Sequence, residues 1–127
     1  MTEPTVQVVP RRPVDLEADQ TTGGIARFEA FAGEDHWVGY VTTVPGVMSG
    51  WHHHGDTDTY IYMVKGTIVL EFGAEGQERA DAAAGDFVTI PAGVVHREGT
   101  PPGDPAEAVV VRVGSGPPLF NVEGPSD

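Results

Sequence analysis

The chain has 127 residues, a formal charge of −12, a pI near 4.5, 17 glycines, 11 prolines and no cysteine. That length suits one domain able to bury a core, and the lack of cysteine excludes disulfides and thiolate metal sites, leaving histidine and carboxylate as the strong metal ligands. The acidic balance argues against nucleic acid and anionic membranes as partners, no run approaches the ~20 apolar residues of a membrane span, and the N-terminus lacks the apolar stretch of a signal peptide, so a cytoplasmic location is expected.

Glycine and proline are scattered and punctuate short segments, and no long stretch has helical periodicity, which predicts an all-β sandwich or barrel. Val6, Val8 and Val9, followed by Pro10 and Pro13, read as an extended arm or edge strand that could pair with a second subunit. Residues 15–20 could make one helical turn, and 21–24 a turn. Strands are expected over 25–31 and 36–44, with a turn at 33–35 and a break at Pro45-Gly46. A histidine-bearing strand spans about 49–54. Strands over 59–64 and 67–72, joined by Lys65-Gly66, read as a hairpin. Residues 77–84 are weakly patterned. Strands follow at 87–90, 94–98 and 106–113, separated by Pro91-Ala92-Gly93 and a proline-rich loop over 99–105. The tail, 114–127, has only Leu119, Phe120 and Val122 to pack with. There is no internal repeat and no sign of a second domain.

The most informative stretch is 46–66, GVMSGWHHHGDTDTYIYMVKG. Neutral imidazole is the commonest ligand for zinc, iron, copper and nickel. On a strand, His52 and His54 project from one face and can reach one ion, while His53 points away. A second stretch, 85–100, reads GDFVTIPAGVVHREGT and brings His96 in after a Pro-X-Gly turn.

Both stretches resemble the cupin superfamily. Its first motif is glycine, five residues, His-X-His, three or four residues, glutamate, six residues, glycine; here these are Gly46, His52, His54, Thr59 and Gly66. Its second is glycine, five residues, Pro-X-Gly, two residues, histidine, three residues, asparagine; here these are Gly85, Pro91, Gly93, His96 and Thr100. The chain departs from the pattern at Thr59, which replaces the glutamate, and at Thr100, which replaces the asparagine. The resemblance implies a cupin-type jelly-roll β-barrel with a core over about 36–113, an N-terminal arm over 1–24 and a tail over 114–127. It also implies a homodimer. It further implies one divalent metal ion per chain on His52, His54 and His96, a three-histidine set without the usual glutamate, as in some cupin dioxygenases. Iron(II) is favoured; zinc, manganese, nickel and copper are alternatives.

Such a site suggests a non-heme iron(II) oxygenase acting on a small organic substrate. A redox-neutral isomerase, cyclase or lyase, and a non-catalytic binding module, are the alternatives. Several other residues are candidates for roles at the site. Glu98 shares the face of His96 if that strand is regular, as a general base, as an anchor behind the ligands, or as a solvated strand end. His36 and Tyr40 share one face of a strand expected to line the barrel. Thr59, Met48, Trp51, Met63, Phe72 and Phe87 could wall the substrate pocket, and Arg112 could pair with a carboxylate inside the barrel or lean out to solvent. Tyr60 and Tyr62 should face away from Thr59.

Overall fold

The computed structural model describes residues 5–13, 24–116 and 120–124. The expected helical turn at 15–20, most of the turn at 21–24, and Leu119 lie outside these. The described residues form twelve strands and no helix. In chain order they are β1 (Arg12–Pro13), β2 (Ile25–Ala32), β3 (His36–Thr43), β4 (Val47–Met48), β5 (His52–His53), β6 (Asp58–Lys65), β7 (Thr67–Phe72), β8 (Glu78–Ala83), β9 (Phe87–Ile90), β10 (His96–Thr100), β11 (Ala106–Val113) and β12 (Phe120–Asn121). All pairings are antiparallel.

The larger sheet has the order β1-β2-β3-β11-β6-β9, and the other runs β12-β5-β10-β7-β8 with β4 also on β10. The two bury their inner faces against each other, giving the all-β cupin-type barrel that the motifs implied. Alternation sets which side chains go inside. On β6, Thr59, Ile61 and Met63 are buried while Tyr60, Tyr62 and Val64 are exposed. On β11, Ala106, Ala108 and Val110 complete a core with Ile68, Leu70, Ala82 and Ile90. Each fully buried aliphatic side chain of this kind contributes about 1.5–3 kcal/mol.

The structure corrects three expectations. Residues 59–72 are not a hairpin, because β6 pairs with β11 and β9 whereas β7 pairs with β10 and β8. The chain changes sheets at Gly66. Its φ of +74° disfavours a side chain, and a Cβ there would lie 2.3 Å from the Pro105 carbonyl oxygen. Of the strand expected over 49–54, only His52–His53 forms one, β5, and the short β4 precedes it at Val47–Met48. Residues 78–83, weakly patterned in sequence, form the regular strand β8 because β7 offers them a full ladder. In the arm, Arg12–Pro13 form β1 on the edge of the larger sheet against Glu29 and Phe28, while residues 5–11 form no strand.

Candidate metal centre

Two motifs far apart in sequence meet where β5 lies beside β10. His52 is the register partner of His96, and side chains directly opposite on antiparallel strands share a face. His54 follows β5 by one residue, and Glu98 stands two positions after His96 on the same inward face of β10. The four side chains each offer a ligand atom, all within 4.8 Å of one another. The imidazole centroids are 4.3 Å apart for His52 and His96, 5.0 Å for His54 and His96, and 5.2 Å for His52 and His54. The histidines are 4, 2 and 1 % exposed for His52, His54 and His96, whereas Glu98 is partly exposed.

Local hydrogen bonds aim the rings. His52 Nδ1 lies 2.9 Å from the Gly50 carbonyl oxygen, and His96 Nδ1 lies 2.9 Å from that of Val94. A carbonyl only accepts, so each Nδ1 carries the proton and each Nε2 presents its lone pair. Both Nε2 atoms are buried and have no hydrogen-bond partner. A buried, unsatisfied acceptor is costly, and a cation at the focus of the cluster satisfies both. Glu98 Oε1 sits 3.5 Å from His52 Nε2 and 3.9 Å from His96 Nε2. Burial raises the Glu98 pKa, but His52, His96 and His54 together outweigh it and hold the group well below the usual carboxylate range. Burial lowers the His96 pKa, with Glu98 opposing and His52 and Arg112 reinforcing that shift. His52 and His96 thus turn Nε2 toward the Glu98 carboxylate, a donor set that fits a divalent transition metal. The three histidines expected from the motif come together, with Glu98 beside them. The carboxylate absent at Thr59 is present instead at Glu98.

A cavity of about 40 Å³ adjoins the cluster, lined by His54, Glu98, Thr59, Arg27, Glu107 and Arg112 together with aliphatic side chains. Thr59 is 2 % exposed and its hydroxyl is unpartnered. Thr59 and Arg112 therefore lie where a substrate-contacting role needs them. Other candidates do not. From β3 the cavity takes Val41 and Thr43, so His36 and Tyr40 stand on the opposite, outer face by alternation. His36 is exposed and pairs with Asp35, and the Tyr40 hydroxyl donates to Glu107 at 2.8 Å. Trp51 lies under the Arg97 guanidinium, 4.7 Å away, on the outer side of the smaller sheet. Met48 is exposed on β4. Met63 is wholly buried in the core and does not line the cavity. Phe87 is 81 % exposed and packs on Tyr62 outside the larger sheet. His53 points away as expected, stacking on Phe120 and accepting from the Gly55 N–H. Sequence reading missed Arg27, although its parity with Ile25 on β2 carried the signal.

Residues 39–112 match the family model of the cupin domain. The polyketide cyclase RemF of Streptomyces resistomycificus shares the fold with a TM-score of 0.72 at 18 % identity, over 96 % of this chain and 86 % of that one. A conserved protein with a double-stranded β-helix domain from Klebsiella pneumoniae aligns with a TM-score of 0.69 at 20 % identity, over 80 and 86 % of the two chains. Oxalate decarboxylase from Bacillus subtilis aligns with a TM-score of 0.67 at 19 % identity, over 80 % of this chain and 28 % of its own. In sequence, the Bacillus subtilis protein YdbB is 38 % identical over 47 residues, a stretch spanning 37 % of this chain and 40 % of YdbB. The family model covers more than half of the chain, including the strands that carry all four clustered side chains, and the chain is therefore a member of the cupin family.

Proposed function

We propose that this cupin is a metal-dependent enzyme that holds one divalent ion on His52, His54, His96 and Glu98 and acts on a small oxygen-bearing organic molecule in the adjoining cavity. The observation that carries this reading is the pair of buried, unpartnered Nε2 atoms of His52 and His96 facing a carboxylate. When bound, such an ion polarises a substrate carbonyl or stabilises an enolate. The chain supplies the rest. The Gly50 and Val94 carbonyls fix the two rings before any ion arrives. Glu98 lowers the net charge of the centre. The Thr59 hydroxyl is placed to donate to a substrate oxygen, and Ile61, Ile68 and Val110 keep the cavity wall apolar.

The fourth ligand bears on the reaction. If His52, His54, His96 and Glu98 all held the ion, a six-coordinate metal would have two further places for substrate. The expected iron(II) oxygenase needs a place for dioxygen as well as for a chelating substrate. A chelating substrate would fill both places, and a cyclase and a decarboxylase are among the proteins with this fold, so redox-neutral isomerase, cyclase or lyase chemistry is the reading put forward, with the oxygenase as its rival. Elemental analysis of protein purified without added metal, with melting curves before and after EDTA, tests the reading. Near-stoichiometric metal, a melting temperature that falls on chelation, and no oxygen uptake with small carbonyl compounds are expected. Substrate-dependent oxygen uptake by an iron-loaded form would move the assignment to the oxygenase. Failure to take up zinc, manganese, nickel, copper or iron would remove the metal altogether.

A further inference from the structure

Met48 on β4 is in register with Gly99, and His52 on β5 is in register with His96. Three residues, Ser49 to Trp51, therefore stand opposite two, Arg97 and Glu98. One extra residue on one side of an antiparallel pair is a β-bulge. It bends the strand and reverses the face that the following side chains take. The bend brings β4 so close to β10 that a Cβ at Gly99 would lie 1.9 Å from the Val47 carbonyl oxygen. The reversal is visible in the burial. Positions 48 and 52 of an unbroken strand share a face, yet Met48 is 39 % exposed and His52 is 4 % exposed. Without the extra residue, His52 and His54 would follow Met48 outward and His53 alone would turn toward His96.

A bulge interrupts the regular ladder and leaves backbone groups to be met another way. Ser49 meets them here. Its N–H donates to the Glu98 carbonyl oxygen at 2.7 Å. Its hydroxyl accepts the Glu98 N–H at 3.0 Å and donates to the Gly50 carbonyl oxygen at 2.9 Å, within the capacity of one hydroxyl. The Gly50 oxygen is the same atom that accepts from His52 Nδ1. A continuous chain of hydrogen bonds thus runs from the Glu98 backbone through the Ser49 hydroxyl and the Gly50 carbonyl to the His52 ring. It joins the two histidine-bearing segments behind their inward-facing side chains. Bonds linked in this way polarise one another and are stronger together than apart. Ser49 is 9 % exposed, and loss of its hydroxyl would leave the Glu98 N–H without its partner at a partly desolvated position.

We propose that Ser49 is a positioning residue of the metal centre: its hydroxyl holds the bulge that turns His52 and His54 inward, and it fixes the His52 ring with Nε2 toward Glu98. The role toward an ion rests on the metal-enzyme reading, but the tautomer of the ring is a property of the chain and is measured without metal. Long-range nitrogen NMR of the imidazoles is done on EDTA-treated protein at mildly alkaline pH, where imidazole is neutral. Zinc affinity is measured on the same variants by chelator competition. Wild-type His52 is expected to carry its proton on Nδ1. Ser49→Ala moves part of the His52 population to the Nε2–H tautomer and weakens zinc by ~10–100-fold, the range for residues that support a ligand. Ser49→Thr returns both toward wild type. Threonine and valine are similar in shape, so Ser49→Thr against Ser49→Val tests the hydroxyl even if Ser49→Ala does not fold. A wild-type His52 protonated on Nε2, a tautomer unmoved by Ser49→Ala whatever zinc does, or equal tautomers in folded Ser49→Thr and Ser49→Val overturns the inference. A protein that takes up no zinc yet shows the tautomer shift keeps Ser49 as the residue that aims the ring and discards the metal-enzyme reading.

Discussion

Strands β6 and β10 lie in different sheets and obey the same alternation, yet they divide their residues in opposite ways. β6 turns aliphatic Ile61 and Met63 inward and leaves Tyr60 and Tyr62 outside, where Phe87 joins them. β10 turns His96 and Glu98 inward and leaves Arg97 outside, packed on Trp51 and paired with Glu71. Phe87 and Trp51, read as pocket walls in sequence, are outside, whereas Glu98, which could equally have been a solvated strand end, is inside. Position in the alternation decides burial here, and the bulk of the side chain does not.

This contrast can be broken at graded points. The largest effect is expected at His96→Ala, which removes a buried histidine of the proposed centre; affinity for zinc or manganese should fall by more than the ~10–100-fold typical of residues that only support a ligand. Metal retention at wild-type affinity, measured by competition with a chromophoric chelator, would remove His96 from the centre. Met63→Ala tests the aliphatic side of the comparison and should cost about 2–5 kcal/mol in urea denaturation; a loss below about 1 kcal/mol would mean that the inner face of β6 is loosely packed. Glu98→Gln should weaken the metal by roughly 10–100-fold. Adding Thr59→Glu to it should recover most of that loss, since position 59 lines the same cavity. No recovery would show that a carboxylate at 59 does not reach the ion.

Acid gives a finer reading. Protons compete for the imidazole lone pairs near the unperturbed pKa of about 6.5, so metal is released as pH falls through that region. Glu98, held below the ordinary carboxylate range by the histidines, stays ionised across this window. Glu98→Gln should therefore shift the release midpoint to higher pH in equilibrium dialysis, and an unchanged midpoint would exclude Glu98 as a ligand. The smallest effect is expected outside. Phe87→Ser should change stability by no more than about 0.5 kcal/mol and leave metal affinity untouched.

Much of this was legible beforehand. The spacings around Gly46, His52, His54, Gly66, Gly85 and His96 gave both the barrel and the three histidines, because each marks a local requirement of turn or ligand. Strands over 67–72, 87–90 and 106–113 carry enough β-branched or apolar residues to be read to the residue. What was not legible depends on pairing partners. The sheet change at Gly66 is invisible locally, since a lysine-glycine turn serves a hairpin equally well. The outward face of His36 and Tyr40 follows from β3 pairing with β2 and β11. The parity of Glu98 with His96 is readable in sequence, but its place in the histidine cluster depends on β5 lying alongside β10.

β5 is two residues long and is held between β10 on one side and β12 on the other, with Asn121 in register with His52 and Phe120 with His53. A nascent chain emerging from the ribosome consequently presents its histidine pair long before the segment that brackets it exists. Under the proposed function, closure of the site around an ion would wait for β12, and shortening the chain just after β11 should leave a centre that still fills but empties faster.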